Sequence, residues 1–187
     1  MFLAAYKREL IRKQNRETRR SVQGEELDLF FHNIYQAHSP DEITFVCIGT
    51  DRSTGDALGP LTGSLLEGKG VGHVIGTMPY PCDADTLQQK LACIPPHQVI
   101  IAIDACLGPK AAVGHFYLFN QALNPAESVG GNLPSVGHYS VAAVVNANGP
   151  RPYTVLQMTS LHQVMNMSQM IAEAVLKAAV PGQTFHS

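Results

Sequence analysis

Two aspartates stand where apolar stretches of this chain give way to polar loops. Residues 43–48 are apolar or β-branched, and a glycine-bounded polar loop follows them before Asp56. Residues 99–103 are equally apolar and lead directly into Asp104. Buried strands that end in polar loops place their last residues at one edge of an open α/β sheet, where such sheets carry their sites. The pattern therefore predicts that Asp56 and Asp104 lie at neighbouring strand ends.

Two carboxyl groups held close together are the arrangement of an acid–base pair. They cannot both ionise cheaply, so one keeps a proton and the other serves as a base toward the same water. Asp56 precedes a predicted helix, whose N-terminus favours the ionised form, so it is assigned as the base and Asp104 as the acid. Spacing alone fits a plainer interpretation equally well, in which Asp56 caps a helix and Asp104 belongs to a turn.

The loop before Asp56 supplies candidate substrate-binding residues. Asp51, Arg52, Ser53 and Thr54 offer charged and hydroxyl groups together with backbone donors, and such loops cradle anions. The loop matches neither the dinucleotide-binding glycine pattern nor the P-loop, which argues against a nucleotide site. Arg52 is instead expected to orient a substrate carboxylate or carbonyl.

His138 and Cys106 are the other residues with chemistry to offer. His138 could complete a mixed oxygen and nitrogen metal site with the two aspartates, although a lone histidine is more often simply hydrogen-bonded. Cys106 and His138 could also form a nucleophile–base pair, an alternative ranked lower because Cys106 appears in an apolar strand.

The elements around these residues alternate as strands and helices, which predicts a three-layer α/β/α sandwich with a mixed, mostly parallel sheet. Long loops are usually functional, so the Gly- and Pro-rich stretch 120–137 is expected to be mobile and to border the site. Helices are predicted over 25–37, 58–67, 86–92 and 161–176. Strands are predicted over 43–48, 71–77, 99–104, 114–119, 138–145 and 153–158, the last two as a hairpin.

Composition limits the class of protein. The 187 residues are 45% apolar and 15% charged with a net charge of −2, so no global field favours nucleic acid. No apolar run approaches the roughly 20 residues of a membrane span, and the N-terminus lacks a signal-peptide core. The four cysteines have no CxxC spacing and are interpreted as reduced thiols of a cytoplasmic protein.

The chain divides into a basic start, one α/β domain and a short tail. Residues 1–40 are interpreted as an N-terminal helical extension, residues 41–180 as the domain and residues 181–187 as the tail. Seven of the thirteen Lys and Arg residues fall within the first 24 positions. That segment is either a solvated helix or a docking arm for an acidic partner or membrane surface.

Four stretches of this chain resemble the sporulation protein YyaC family of spore-forming Firmicutes. They lie at 47–60, 103–108, 133–138 and 155–157, and the likeness extends from about residue 44 to residue 178. The family is commonly labelled a spore protease because it is distantly similar to the spore germination protease and to the hydrogenase maturation endopeptidases. The resemblance therefore implies a phosphorylase/hydrolase-like (HybD-like) fold and a cytoplasmic location in the mother cell or forespore.

Each relative implies a role for the same positions. The germination protease implies that Asp56 and Asp104 are its two catalytic aspartates, with a protein or peptide of the spore as substrate. The hydrogenase maturation enzymes imply a metal held by Asp56, Asp104 and His138, with Asp56 replacing their usual Glu. No cofactor is certain, and a divalent metal is the one cofactor that the likeness admits. The alternative to a peptidase is a metal- or ligand-binding sporulation protein of the same fold. Neither nucleic acid nor a membrane is expected as a partner. Whether the chain forms a homo-oligomer is left open at this point.

Overall fold

One mixed sheet organises the protein. The computed structural model describes residues 21–125 and 133–179, and everything said below of the structure concerns those residues. The six strands described are β1 (Ser21–Val22), β2 (Ile43–Cys47), β3 (Val74–Ile75), β4 (Val99–Gly108), β5 (Phe116–Phe119) and β6 (Tyr139–Ala147). The helices described are α1 (Gly24–Ala37), α2 (Leu58–Gly68), α3 (Leu87–Ala92), α4 (Pro152–Gln157) and α5 (Leu161–Ala178).

The strands lie in the order β1-β5-β6-β4-β2-β3. β4 is central and runs parallel to β2 on one side and to β6 on the other. β3 extends the parallel part beyond β2, whereas β5 pairs antiparallel with both β6 and β1. α2 connects β2 to β3 and α3 connects β3 to β4, whereas the connection from β4 to its parallel neighbour β6 passes through β5. The predicted mixed, mostly parallel sheet with helices on both faces is thus confirmed.

Alternation along β4 separates the two faces of the sheet. Ile101 and Ile103 join the larger apolar core, which α1, α2 and α5 cover. Ala102 points to the opposite face and packs in a smaller cluster with Val46 and Leu87, the latter from α3. Residues of β4 with even numbers therefore face the layer that contains α3, and those with odd numbers face the layer of α1, α2 and α5.

α1 contributes to the larger core although the sequence pattern placed it in an N-terminal extension. Its residues Leu27, Phe31 and Ile34 are buried, at most 2% exposed. Glu26 accepts a hydrogen bond from the backbone N–H of Gln23, which completes a capping box at the start of the helix. The helix predicted over 25–37 is confirmed.

Three predicted elements differ in the structure, and the first is the strand predicted over 71–77, which is reduced to Val74–Ile75. The strand predicted over 153–158 is wrong: residues 153–157 lie in α4 and Met158 follows that helix. Its first residue is Pro152, at a position where a helix needs no N–H. The strand expected to end at Asp104 continues instead to Gly108, with an irregularity between Cys106 and Leu107.

Some predictions concern residues outside the described ranges 21–125 and 133–179. The basic segment up to residue 20 and the tail 181–187 lie outside the described residues, as do positions 126–132 of the loop 120–137. Among the helices of the described part, none is long and apolar enough to cross a membrane.

Candidate active site

The loop after β2 folds back so that Asp56 returns to the end of that strand. The backbone N–H of Thr50 donates to the carbonyl of Asp56 at 3.2 Å, and that of Ala57 donates to the carbonyl of Ser53 at 3.0 Å. Gly49 starts the turn at φ +146°, and a Cβ there would stand 2.0 Å from the Asp56 carbonyl oxygen. Glycine is therefore required where the chain reverses.

The first turn of α2 lies directly against the end of β2. A Cβ on Gly59 would come within 2.0 Å of the carbonyl oxygen of Ile48. The glycines that break the loop in the sequence are thus what allow the helix start and the strand end to touch. This close approach places Asp56, in the 3₁₀ turn before α2, beside the carboxyl edge of the sheet.

Asp104 lies beside this loop because its neighbouring strand stops first. β2 ends at Cys47, which pairs with Ile103, so Asp104 is one residue beyond the neighbour's last paired position. By alternation its side chain points to the same face as Ala102. The backbone N–H of Ala105 donates to Asp104 Oδ1 at 2.8 Å. Asp104 therefore lies just beyond the end of β2, although its own strand β4 continues to Gly108.

The two carboxyl groups interact electrostatically. Burial raises the pKa of Asp104 to about 8, and the charge of Asp56 raises it further against the opposing hydrogen bond from Ala105. Burial also raises the pKa of Asp56, while the nearby hydroxyl of Ser53 lowers it. Ser53 Oγ is itself buried and has no well-aligned hydrogen-bond partner among the described residues. Burial and the nearby charge thus favour the protonated form of Asp104, and Ser53 partly offsets the effect of burial on the pKa of Asp56.

A second loop forms the other side of the site. The N–H of Gly49 donates to the carbonyl of Cys82 at 2.9 Å, which ties the two loops together. Arg52, one of the predicted substrate-binding residues, forms an ion pair with Asp83 at 3.0 Å and donates to Thr50 Oγ1 at 3.2 Å. Burial alone would raise the pKa of Asp83, but hydrogen bonds from Thr86 and the charge of Arg52 outweigh it and lower that pKa. Arg52 thus bridges the loops while its guanidinium group remains exposed.

Cys82 is a site residue that sequence reasoning missed, having treated it only as a reduced thiol. Its pKa is raised to about 11, mainly by burial, with Lys90 lowering it and the charges of Asp83 and Asp104 raising it. A thiol with that pKa stays protonated, so Cys82 is a packed neighbour of Asp104 rather than a nucleophile. Its position in the loop after the predicted strand 71–77 was the signal available in the sequence.

The structure does not bring His138 to the aspartates, so the predicted three-residue metal site is wrong. His138 precedes β6, and its backbone N–H donates to the carbonyl of Ile100 at 2.7 Å. Ile100 lies four residues before Asp104, which is about 13 Å along a strand. Within 21–125 and 133–179, no three His, Cys, Asp or Glu side chains converge as metal ligands. The residues present therefore do not fit the metal that the resemblance implied.

The alternative pair of Cys106 and His138 fails for the same reason. Cys106 lies six residues beyond Ile100 on β4, or about 20 Å from it along the strand. Asp56 and Asp104 are thus the predicted chemical residues that the fold does bring together, with Ser53 beside Asp56.

Fold and site together define an α/β/α protein with two interacting carboxyl groups at the carboxyl edge of a mixed sheet. The chain belongs to the family described as "Protein of unknown function (DUF1256)", whose model matches residues 17–174. It is 42% identical over 140 residues to the "Uncharacterized protein YyaC" of Bacillus subtilis (strain 168), covering 71% of this chain and 67% of that one. The resemblance to the YyaC family is therefore confirmed.

Two solved structures are similar to this chain. One is the [NiFe] hydrogenase maturation protease HybD from Thermococcus kodakarensis, with 17% identity, a TM-score of 0.49, and coverage of 74% of this chain and 99% of that one. The other is the [NiFe] hydrogenase maturation protease HycI from Thermococcus kodakarensis KOD1. It has 17% identity and a TM-score of 0.43, and the match covers 72% of this chain and 92% of that one.

Proposed function

We propose that this protein is a peptidase that hydrolyses a peptide bond with Asp56 and Asp104, and that its substrate is a protein of the spore. The observation that carries the proposal is the position of Asp104 just beyond the end of β2, where the charge of Asp56 acts on its carboxyl group. Burial and the charge of Asp56 raise the pKa of Asp104 to about 8, so one carboxyl group is an acid at neutral pH while its neighbour is available as a base.

The proposed reaction uses one water and needs no covalent intermediate. Ionised Asp56 accepts a proton from the water as its oxygen attacks the carbonyl carbon of the peptide. Asp104 donates a hydrogen bond to the carbonyl oxygen, which stabilises the negative charge that develops there. Collapse of the tetrahedral intermediate breaks the carbon–nitrogen bond. The leaving nitrogen takes a proton from the pair, and the products are a carboxylic acid and an amine.

The loop 51–54 is proposed to hold the substrate. Arg52 is exposed and reaches across to Asp83, so its guanidinium group stands where a bound peptide would pass between the two loops. Its remaining N–H groups are suited to donate to a peptide carbonyl. Asp51 and Thr54 flank it with further polar groups, and Ser53 lies beside the proposed base.

The decisive experiment is cleavage of a peptide library by the purified protein in water enriched in ¹⁸O, followed by mass spectrometry. Hydrolysis places one ¹⁸O in each new C-terminal carboxylate, and Asp56→Asn and Asp104→Asn should each reduce cleavage by at least 100-fold. Asp41→Asn is the matched control, because Asp41 is exposed in a 3₁₀ turn before β2, at the opposite edge of the sheet. Cleavage that persists in both site variants would overturn the assignment of the pair. Absence of cleavage by the parent protein across the library would overturn the peptidase itself.

The spore substrate rests on the sequence resemblance to a sporulation family, and it has its own test. In a spore-forming host, a strain carrying only the Asp104→Asn protein should match the deletion strain in heat-resistant spore yield and germination rate. The Asp41→Asn strain should match the parent. If the Asp104→Asn strain behaves as the parent while the protein is present at normal level, the site has no role in the spore.

A further inference from the structure

A cavity lies at the other edge of the sheet. It has a volume of about 340 Å³ and is lined by His38, Val99, Asn120, His138 and Tyr139. Val99 and Tyr139 begin β4 and β6, Asn120 follows the antiparallel β5, and His38 follows α1. The cavity therefore sits at the amino edge of the parallel strands, whereas the two aspartates stand at the carboxyl edge. Its volume is within the range of small-molecule sites.

The imidazole of His138 is held in one orientation at this cavity. The backbone N–H of Ile100 donates to His138 Nδ1 at 2.9 Å, and the backbone N–H of His138 donates to the Ile100 carbonyl at 2.7 Å. Because Nδ1 accepts a hydrogen bond, the neutral ring carries its hydrogen on Nε2. The backbone turn before His138 needs a glycine at position 137. Its φ is +97°, and a Cβ there would stand 2.6 Å from the Tyr139 carbonyl oxygen. The ring thus presents a pre-oriented Nε2–H donor.

The wall of the cavity is flat and also held in place. The ring of Tyr139 packs edge-on against Phe30 and His38, with centroids 6.3 Å and 5.8 Å away. The Tyr139 hydroxyl and His38 Nε2 lie 3.1 Å apart, a hydrogen bond that fixes both side chains. Val99 adds an aliphatic surface. A flat apolar ligand would bury its faces against these groups without rearranging them.

Two side chains of the cavity can donate hydrogen bonds to a ligand. His138 offers Nε2–H and Asn120 offers an amide, and of the described residues that line the cavity none carries a carboxylate. Donors opposite an apolar wall complement a ligand with acceptor oxygens on a flat body. We propose that this cavity is a binding site for a small planar carboxylic acid, with the carboxylate on His138 and Asn120 and the ring beside Tyr139. This site is independent of the proposed peptidase function.

The test is a two-dimensional NMR titration of the full chain with benzoate. Saturable shifts are expected below about 10 mM, confined to Ile100, His138, Tyr139 and their neighbours. Acetate, which lacks the ring, should bind at least tenfold more weakly. Asp104→Asn should bind benzoate as the parent does, because that residue lies at the opposite edge.

Two variants separate the site from general effects on folding. His138→Ala and Asn120→Ala should each weaken benzoate binding about tenfold, and Asn120 is exposed, so its loss leaves the fold intact. His162→Ala is the matched control, because His162 is an exposed histidine on α5 that bonds to Asn166. Absence of saturable shifts in the parent, unchanged affinity in Asn120→Ala, or acetate binding equal to benzoate would each overturn the proposal.

Discussion

At the scale of single residues, the surroundings of Asp104 favour the protonated form of its carboxyl group. Burial and the charge of Asp56 both disfavour its ionised form. Asp56 differs from Asp104, because the hydroxyl of Ser53 lowers the pKa of Asp56 against the effect of burial. The pKa values of two identical side chains are therefore set by different neighbours.

Replacing Asp104 with Asn should flatten the dependence of stability on pH. Between its ordinary pKa and about 8, Asp104 binds a proton in the folded state but not in the unfolded state, so the parent loses stability as pH rises through this window. The variant lacks this slope. Asp104 keeps some contact with solvent, so we expect the variant to gain about 2 kcal/mol on the parent between pH 5 and 8.5. Thermal melts across this range measure the difference, and parallel curves would contradict the protonated Asp104.

The two carboxyl groups should also set the pH range of activity. Hydrolysis needs Asp56 ionised and Asp104 protonated, so the rate should fall above pH 8 as Asp104 loses its proton. Ser53→Ala removes a group that lowers the pKa of Asp56, so the acid limb should move to higher pH while the basic limb stays in place. Steady-state rates from pH 4 to 10 measure both limbs. A variant that lowers the rate equally at every pH would show that Ser53 acts otherwise.

At the scale of elements, the site depends on a strand end and a helix start that touch. The contact exists because Gly59 has no side chain where α2 passes the carbonyl of Ile48. The preceding turn depends in the same way on Gly49. These constraints act through the backbone, which is why the glycine spacing in the sequence predicted a loop and helix here without showing how closely they pack.

A single methyl group at this contact should be costly. Gly59→Ala places a Cβ 2.0 Å from a backbone oxygen that cannot move aside without shifting β2, so we expect a loss of about 3 kcal/mol. Gly68→Ala is the control on the same helix, because nothing lies within 4 Å of a Cβ there. It should be neutral or stabilise by up to about 1 kcal/mol. Chemical denaturation compares the two, and equal stability would mean that the contact between β2 and α2 is looser than described.

At the scale of the whole molecule, the order of strands and helices was predictable because buried strands and amphipathic helices have different apolar spacing. The site was predictable in part. Asp56 and Asp104 both follow apolar strand residues, and in the structure the charge of Asp56 raises the pKa of Asp104. His138 was misplaced although the sequence held the answer, because a residue that begins a parallel strand lies at the opposite edge from one that follows its neighbour. The prediction for residues 153–158 is wrong because a short, mostly apolar stretch fits a strand or a short helix equally well.

The core of the molecule should depend on α1 as much as on the sheet. Phe31 is fully buried and its ring lies 6.4 Å from that of Phe45 on β2. Phe31→Ala should therefore cost about 3–5 kcal/mol, whereas Leu29→Ala, on the exposed side of the same helix, should cost less than about 1 kcal/mol. Urea denaturation of both variants measures this. Equal stabilities would mean that residues 1–40 form a separable extension after all.

The central position of β4 has a consequence for the order in which amide protons exchange with solvent. Its amides are enclosed between two parallel neighbours, while the two-residue strands β1 and β3 form the margins of the sheet. Exchange at the margins needs only local fraying, but exchange along β4 needs β2 or β6 to separate from it first, which is close to global unfolding. Deuterium uptake should therefore be slowest along β4, the strand that carries Asp104. The environment of the Asp104 side chain should likewise persist until the domain unfolds.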